Sequence, residues 1–210
     1  MLSLYFTRHG ETVWNREGRL QGWQDSPLTK KGEKAAVTLG EYLQNVPFDA
    51  IYTSPSGRTL RTAELINKER GTPVIPDDRL REIHLGMWEG KTRVEIEAEY
   101  SKARLDTFWS DPESYETAGG ETFCQVESRL NDFISDIYKQ HSYGNVLFVT
   151  HTVIVKLLLK RFKNRMLNEL WDPPYIHPTC LNLVKINKNK QTEVVFEGDM
   201  THHESKNNLA

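Results

Sequence analysis

The sequence predicts an α/β fold: a mostly parallel central sheet flanked by helices, with a helical lid inserted and a hairpin near the C-terminal end. Three observations carry this expectation. Strand-like and helix-like segments alternate along most of the chain. The run Val146-Leu147-Phe148-Val149-Thr150 is apolar without a break, the pattern of a strand buried on both faces in the middle of a parallel sheet. Residues 91–143 hold no strand-like run, so an all-helical stretch interrupts the alternation. A length of 210 residues suits one domain, 1–210, with a lid at 91–120 inside it.

The elements follow in order. Leu4-Tyr5-Phe6-Thr7 reads as a short buried strand that stops at Arg8-His9-Gly10, where the glycine allows a sharp exit. A loop rich in Gly, Asn, Gln and Trp runs through Gly22-Trp23-Gln24-Asp25. A helix then begins after Thr29, with Ala36, Leu39, Gly40 and Leu43 on one face, and is closed off before Pro47. Residues 49–53 form a second strand, 54–57 a turn, 58–69 a helix and 74–75 a short strand before Pro76. In the helical stretch, Thr92 and Glu95 make a capping box. Asp111-Pro112 and Gly119-Gly120 break the pattern, and Phe123, Val126, Leu130, Phe133, Ile134 and Ile137 line one stripe of a long amphipathic helix, with Cys124 counted in its core. The strand 146–150 ends at His151, and a helix follows. Residues 181–186 and 193–196 alternate around a polar turn and predict the hairpin, whose edge near Leu183 is open to pairing with a second copy. The last ten residues are polar and expected to fray.

Composition narrows the function. The 29 acidic and 27 basic residues nearly cancel and are interspersed, so no basic stripe for nucleic acid exists. Cys124 and Cys180 are far apart and flank no metal-type spacing, which favours reduced thiols over a disulfide framework. The N-terminal apolar stretch is too short for a secretion signal. The most apolar helix candidate, 153–159, is interrupted by Lys156 and too short to span a bilayer. The expectation is a cytoplasmic protein acting on a small molecule, without membrane or nucleic-acid partners, as a monomer or a homodimer.

Three strands end in reactive residues: the first in Arg8 and His9, the second in Ser54 with Arg58 one turn on, the third in His151. In a parallel sheet these ends share one edge, where α/β proteins bind ligands. Two arginines, two histidines and a helix N-terminus converging there call for a phosphate-like dianion, since buried arginines without one repel and cost several kcal/mol, roughly, in desolvation.

Thr7-Arg8-His9-Gly10-Glu11-Thr12 resembles the signature of the histidine phosphatase superfamily, the phosphoglycerate-mutase-like proteins. The resemblance continues through Asn15, Gln21-Gly22-Trp23 and Asp25-Ser26-Pro27-Leu28-Thr29. It takes in Ser54-Pro55-Ser56-Gly57-Arg58-Thr59, the segment from Leu80 and Glu82 to Trp88-Glu89-Gly90, and Val149-Thr150-His151. Four motifs in the family's order cover nearly the whole chain, and the pattern is most similar to the broad-specificity phosphatase branch of bacilli. The resemblance implies His9 as nucleophile through a phosphohistidine, and Arg8, Arg58 and His151 as phosphoryl clamps. It implies Glu82 as proton donor and then water activator, and Asn15 and the Gln21-Gly22 segment as hydrogen-bond donors to the same group, with no cofactor and no metal. One position departs: many relatives carry glycine after the second histidine, and this chain has Thr152, which borders the phosphate site.

Other readings compete. Arg81 is expected to face away into an ion pair, His84 to lie beside the site without a central role, and Trp23 and Trp88 to pack. His202-His203-Glu204 resembles a metal cluster only by composition. A cofactor-dependent phosphoglycerate mutase shares the core but carries an adjacent Arg-Arg pair in its lid. Here the lid has Arg93, Lys102 and Arg104, none adjacent, and the aromatics Tyr100, Phe108, Trp109 and Tyr115, which suit an uncharged, partly apolar leaving group. A phosphomonoesterase is therefore favoured. A narrower α-ribazole phosphate phosphatase and a non-catalytic binding relative are the remaining alternatives.

Overall fold

The computed structural model describes residues 1–68, 70–117 and 119–204. Its sheet is built from β1 (Leu2–Arg8), β2 (Ala50–Thr53), β3 (Val74–Pro76), β4 (Gly144–Thr150), β5 (Leu181–Ile186) and β6 (Thr192–Asp199), in the order β3-β2-β4-β1-β5-β6. The first four run parallel and β5 and β6 antiparallel, so the mixed α/β sheet with a terminal hairpin is as expected. Tyr5 pairs with Leu183, and Leu183 pairs with Phe196 on its other side. The expected open edge near Leu183 is thus wrong: β6 covers that strand and is itself the edge.

Alternation along β4 explains why two layers of helices form. Val146 and Phe148 belong to one apolar cluster and Leu147 and Val149 to the other. The first cluster takes in α6 (Phe123–Gln140) through the stripe read from the sequence, every member of which is buried, and α7 (Thr152–Lys163). The second takes in α2 (Lys30–Tyr42) and α3 (Gly57–Asn67). Thr29 caps α2 by accepting from the Gly32 amide, and Thr122 and Gln125 form a capping box on α6. Cys124 is exposed, because it falls one residue off the α6 stripe, which corrects its assignment to the core.

Between β3 and α6 lie α4 (Arg93–Glu99), capped by the Thr92–Glu95 box, and α5 (Lys102–Ser110), ended before Asp111-Pro112. The Trp171 Nε1 donates to the Phe108 carbonyl at 2.7 Å, and the Trp109 and Trp171 rings lie 4.4 Å apart, so α5 is held against the loop after α7. A one-turn helix α1 (Val13–Glu17) interrupts the first loop, unannounced by any apolar period, because its Thr12–Asn15 capping box rather than a buried face holds it. The expected fraying also fails in part. Thr201–Glu204 form a short helix, α8, and His202 is 1% exposed, stacked on Tyr42 and His203; residues 205–210 lie outside the described residues, as does Glu69 at the end of the second expected helix. Among the described residues no helix is long and apolar enough to cross a membrane.

Candidate active site

The parallel register Arg8↔Thr150 and Thr53↔Val149 brings the carboxyl ends of β1, β2 and β4 level. His9, Ser54 and His151 follow directly, and Arg58 sits in the first turn of α3. The structure brings all four together, as the spacing implied. The His9 and His151 ring centroids are 5.3 Å apart. Gly10 has an ordinary backbone conformation, so its role is not the sharp exit expected of it. A Cβ there would lie 2.7 Å from the Gly32 carbonyl oxygen, and the glycine lets α2 approach the site strand.

His9 is 3% exposed, and its Nδ1 lies 2.8 Å from the Gly10 carbonyl oxygen. A carbonyl only accepts, so Nδ1 carries the ring proton and Nε2 keeps its lone pair. Burial, followed by the charges of Arg58 and Arg8, pulls the His9 pKa well below the ordinary histidine value. The ring is neutral at physiological pH.

Arg58 Nη2 donates to His151 Nδ1 at 3.2 Å, which makes that nitrogen an acceptor. His151 Nε2 then donates to Ser54 Oγ at 2.8 Å. Burial and Arg58 lower its pKa well below the ordinary value as well. Arg58 also donates to the carbonyls of Gln24 (2.7 Å) and Gly22 (2.8 Å) and pairs with Asp25 at 2.9 Å. The arginines are therefore not left facing each other without counter-groups, as the sequence reading supposed. What remains is specific: Arg8 donates through Nη1 to the Ile176 carbonyl, while the Nε of Arg8 and the Nε of Arg58 are both buried without a partner. Orphaned guanidinium N–H groups are rare in folded proteins, and both arginines line one cavity.

Glu82 reaches the site from the segment after β3. Its carboxylate accepts from the Ile83 amide at 3.1 Å and from the Val153 amide, in the first turn of α7, at 3.2 Å. Burial raises its pKa above the ordinary carboxylate value, and those amides and Arg58 and Arg8 only partly oppose this. Trp23 Nε1 and Arg129 Nη2 both donate to the Glu82 backbone carbonyl, at 2.9 and 3.0 Å. Arg81 faces Asp78 in an ion pair and covers the Trp23 ring, while His84 stacks on Trp23 at 4.7 Å. Trp88 is fully buried, whereas Trp23 is 43% exposed.

A cavity of about 560 Å³ opens over these groups. Asn15, Gln21, Gly22 and Thr152 all line it. Asn15 spends its Oδ1 on the Thr12 amide, Gln21 keeps a buried Oε1 without a partner, and Gly22 uses its carbonyl on Arg58. From residues 91–120, Phe108 and Trp109 line the cavity, but Tyr115 is buried in the core and Tyr100 packs against it, bonded to Lys91. Among the described residues no group of three or more His, Cys, Asp or Glu is placed to hold a metal ion.

Glu89 is a residue that motif reading passed over. Its side chain is 5% exposed and accepts from the amides of Trp23 (2.9 Å), Gln24 (3.1 Å) and Leu85 (3.0 Å). It thereby ties the loop that holds Arg58 to the segment that carries Glu82. Gly22 adopts φ 53°, and a Cβ there would sit 2.2 Å from Glu89 Oε1, so both the turn and the contact require glycine. Thr62 is a second such link, accepting from the Gly10 amide and donating to the Arg58 carbonyl. A carboxylate beside a tryptophan in the sequence carries no signal of either role.

A family model for the histidine phosphatase superfamily (branch 1) matches residues 4–198. The chain belongs to the histidine phosphatase superfamily. It is 33% identical over 172 residues to phosphoserine phosphatase 1 of Hydrogenobacter thermophilus, covering 82% of this chain and 81% of that protein. It is also 33% identical over 159 residues to the probable phosphoglycerate mutase GpmB of Salmonella choleraesuis, covering 76% and 74%. The structure of YhfR from Bacillus stearothermophilus superposes with a TM-score of 0.93 at 46% identity, over 96% of this chain and 99% of that one. That likeness agrees with the resemblance to the bacillary branch. The membership and the phosphatases among the relatives support a hydrolase of phosphate esters.

Proposed function

We propose that this superfamily member is a phosphomonoesterase whose reaction runs through a phosphohistidine on His9. The single observation that carries the reading is the His9 Nδ1 contact to the Gly10 carbonyl, which leaves Nε2 unprotonated beside two guanidinium groups with donors to spare. Nε2 attacks phosphorus and the P–O bond to the leaving group breaks. Arg8 and Arg58 hold the equatorial oxygens, His151 joins them by turning its Nε2–H from Ser54 to the phosphoryl group, and Asn15, Gln21, the Gly22 backbone and Thr152 border the same group. Glu82, kept protonated by burial and by the incoming dianion, gives its proton to the departing alkoxide or phenoxide. In the second half, the Glu82 carboxylate takes a proton from water as its oxygen attacks phosphorus. The N–P bond breaks, and inorganic phosphate and neutral His9 are regenerated.

The choice between phosphatase and mutase rests on residues 91–120, which we read as a lid. Phe108 and Trp109 face the cavity from it, whereas Arg93 pairs with Glu97 and Asp106, and Arg104 with Glu116. Among the described residues no cation of this segment lines the cavity, exposed Lys102 included, so the segment adds no grip on a mutase substrate's second anionic group while the phosphohistidine survives. The presence of Arg8, His9, Arg58, Glu82 and His151 argues against a non-catalytic relative, and a narrower α-ribazole phosphate phosphatase remains a special case of this reading. The test is hydrolysis of p-nitrophenyl phosphate at mildly acidic to neutral pH with and without a chelator, beside an assay with 3-phosphoglycerate and its bisphosphate. Chelator-insensitive release of phosphate is expected. Rapid mutase turnover, or hydrolysis abolished by the chelator, would overturn the reading.

A further inference from the structure

The cavity beyond the phosphoryl site is walled mainly by Phe108, Trp109, Trp171, Pro173, Tyr175 and Ile176. Two cations besides the phosphoryl clamps line the cavity: Arg19, which pairs with Glu17 and Glu95, and Lys156. Lys156 lines the cavity, yet the residue is 5% exposed. Its Nζ donates to the Asp172 carbonyl at 2.5 Å, which places the ammonium beside Trp171 and Pro173, both wall residues. Among the described residues no carboxylate lies within ion-pair distance of it. The contrast on the same helix is clear. Lys160 pairs with Glu127 and Lys163 with Glu197, each in partly exposed positions, while the most buried lysine of α7 has a single neutral acceptor for three N–H groups.

A buried ammonium without a paired counter-ion is costly: burial and then Arg165 pull the Lys156 pKa down from the usual lysine range, and the charges of Asp172 and Glu197, neither paired with it, only partly oppose this. Fold stability gives no reason to keep it, since a methionine fills the same space without that cost. Function does. Val153, whose amide holds Glu82, and Lys156 are three residues apart on α7, share a face and both line the cavity. The separation along the helix axis is about 4.5 Å. A substrate whose ester oxygen lies at Glu82 therefore extends along this face of α7 towards Lys156.

We propose that Lys156 is the leaving-group anchor of this site, and that the substrate class is a phosphate monoester of a flat, largely apolar alcohol or phenol bearing a carboxylate at the end remote from the phosphate. The proposal rests on the reading that Arg8, His9, Arg58 and His151 hold the phosphoryl group, and it amends the expectation of an uncharged leaving group. The carboxylate supplies the missing counter-charge, and the ring stacks among Phe108, Trp109 and Trp171.

The test measures binding rather than turnover, so that it stands apart from the phosphatase assay. The full-length protein is titrated calorimetrically with benzylphosphonate, 4-carboxybenzylphosphonate and 4-(aminomethyl)benzylphosphonate, in which a methylene replaces the ester oxygen. The carboxylated ligand is expected to bind about tenfold more tightly than the unsubstituted one, the scale of a hydrogen bond between charged groups, and the aminomethyl ligand more weakly than either. In Lys156→Met the carboxylate preference falls to within about threefold of unity. Equal binding of the three ligands by the unsubstituted protein overturns the proposal without any variant, and so does a preference that persists in Lys156→Met. Failure to hydrolyse p-nitrophenyl phosphate while the binding preference holds instead removes the phosphatase reading and leaves the anchor in place.

Discussion

Replacing Glu82 by glutamine isolates the proton-transfer part of the mechanism. Glutamine keeps a side-chain oxygen to accept from the Ile83 and Val153 amides, so the segment stays where Trp23 and Arg129 hold it. What is lost is the transferable proton. A positioned general acid contributes about 10²- to 10⁴-fold, or roughly 3–5 kcal/mol of transition-state stabilisation. Glu82→Gln should therefore lower kcat/KM for phenyl phosphate, whose leaving phenoxide is basic, by about that factor. The loss should be at least about tenfold smaller for p-nitrophenyl phosphate, whose leaving group departs readily without a proton. The pH profile supplies a second readout. Burial raises the Glu82 pKa, so activity of the unsubstituted enzyme falls on the alkaline side as that proton is lost, and the variant lacks this limb. The substrate's own second ionisation, near pH 6 or about there, is common to both proteins and cancels in the comparison. Steady-state rates on the two esters across pH decide it. Equal losses on both esters, or an alkaline limb that survives in Glu82→Gln, would refute the assignment of Glu82 as the acid.

Two further outcomes follow from the same geometry. Glu89→Ala strips an acceptor from three backbone amides, each costing about 1–3 kcal/mol if left unpaired. It should raise KM through the loosened Gly22 and Gln24 carbonyls on Arg58, with Glu89→Gln restoring most of the loss; an unchanged KM in Glu89→Ala would show that the loop is held otherwise. Acid should also destabilise the fold. His9 and His151 titrate below the ordinary value when folded and His202 is pulled down to about 4, so the unfolded chain takes up their protons first. The stability they contribute is full above about pH 6.5 and is lost as pH falls towards those lower values. Glu82, with a raised pKa, works in the opposite direction. Calorimetric Tm should drop between pH 7 and 4.5, less steeply in His202→Phe, and a flat Tm over that range would contradict the burial of these rings.

How much could be read in advance depended on the length scale of the signal. Apolar period alone located the α6 stripe and the β4 run, and the strand ends then delivered Arg8, His9, Arg58 and His151 to one edge, because register in a parallel sheet is dictated by burial. Cys124 was misplaced by a single residue of helical phase. The hairpin edge was misassigned because pairing order is a tertiary property: nothing local to Leu183 states that β6 lies outside it. The helix at Thr201–Glu204 reads as tail in the sequence, because its buried His202 docks on Tyr42 across the fold. Glu89, Thr62 and Lys156 were invisible for a related reason. Each acts through backbone groups brought near by folding, and Lys156 reads in sequence only as a polar interruption in an apolar helix.

The central claim is that phosphorus bonds to His9 during turnover. Rapid acid-free quenching of the enzyme with p-nitrophenyl phosphate, followed by mass spectrometry of its peptides, measures this directly. The account predicts an acid-labile phosphoryl group on the peptide carrying His9, absent from His9→Ala together with nearly all turnover. A His9→Ala protein that hydrolyses the ester undiminished, or a phosphoryl group found on another residue, would contradict it.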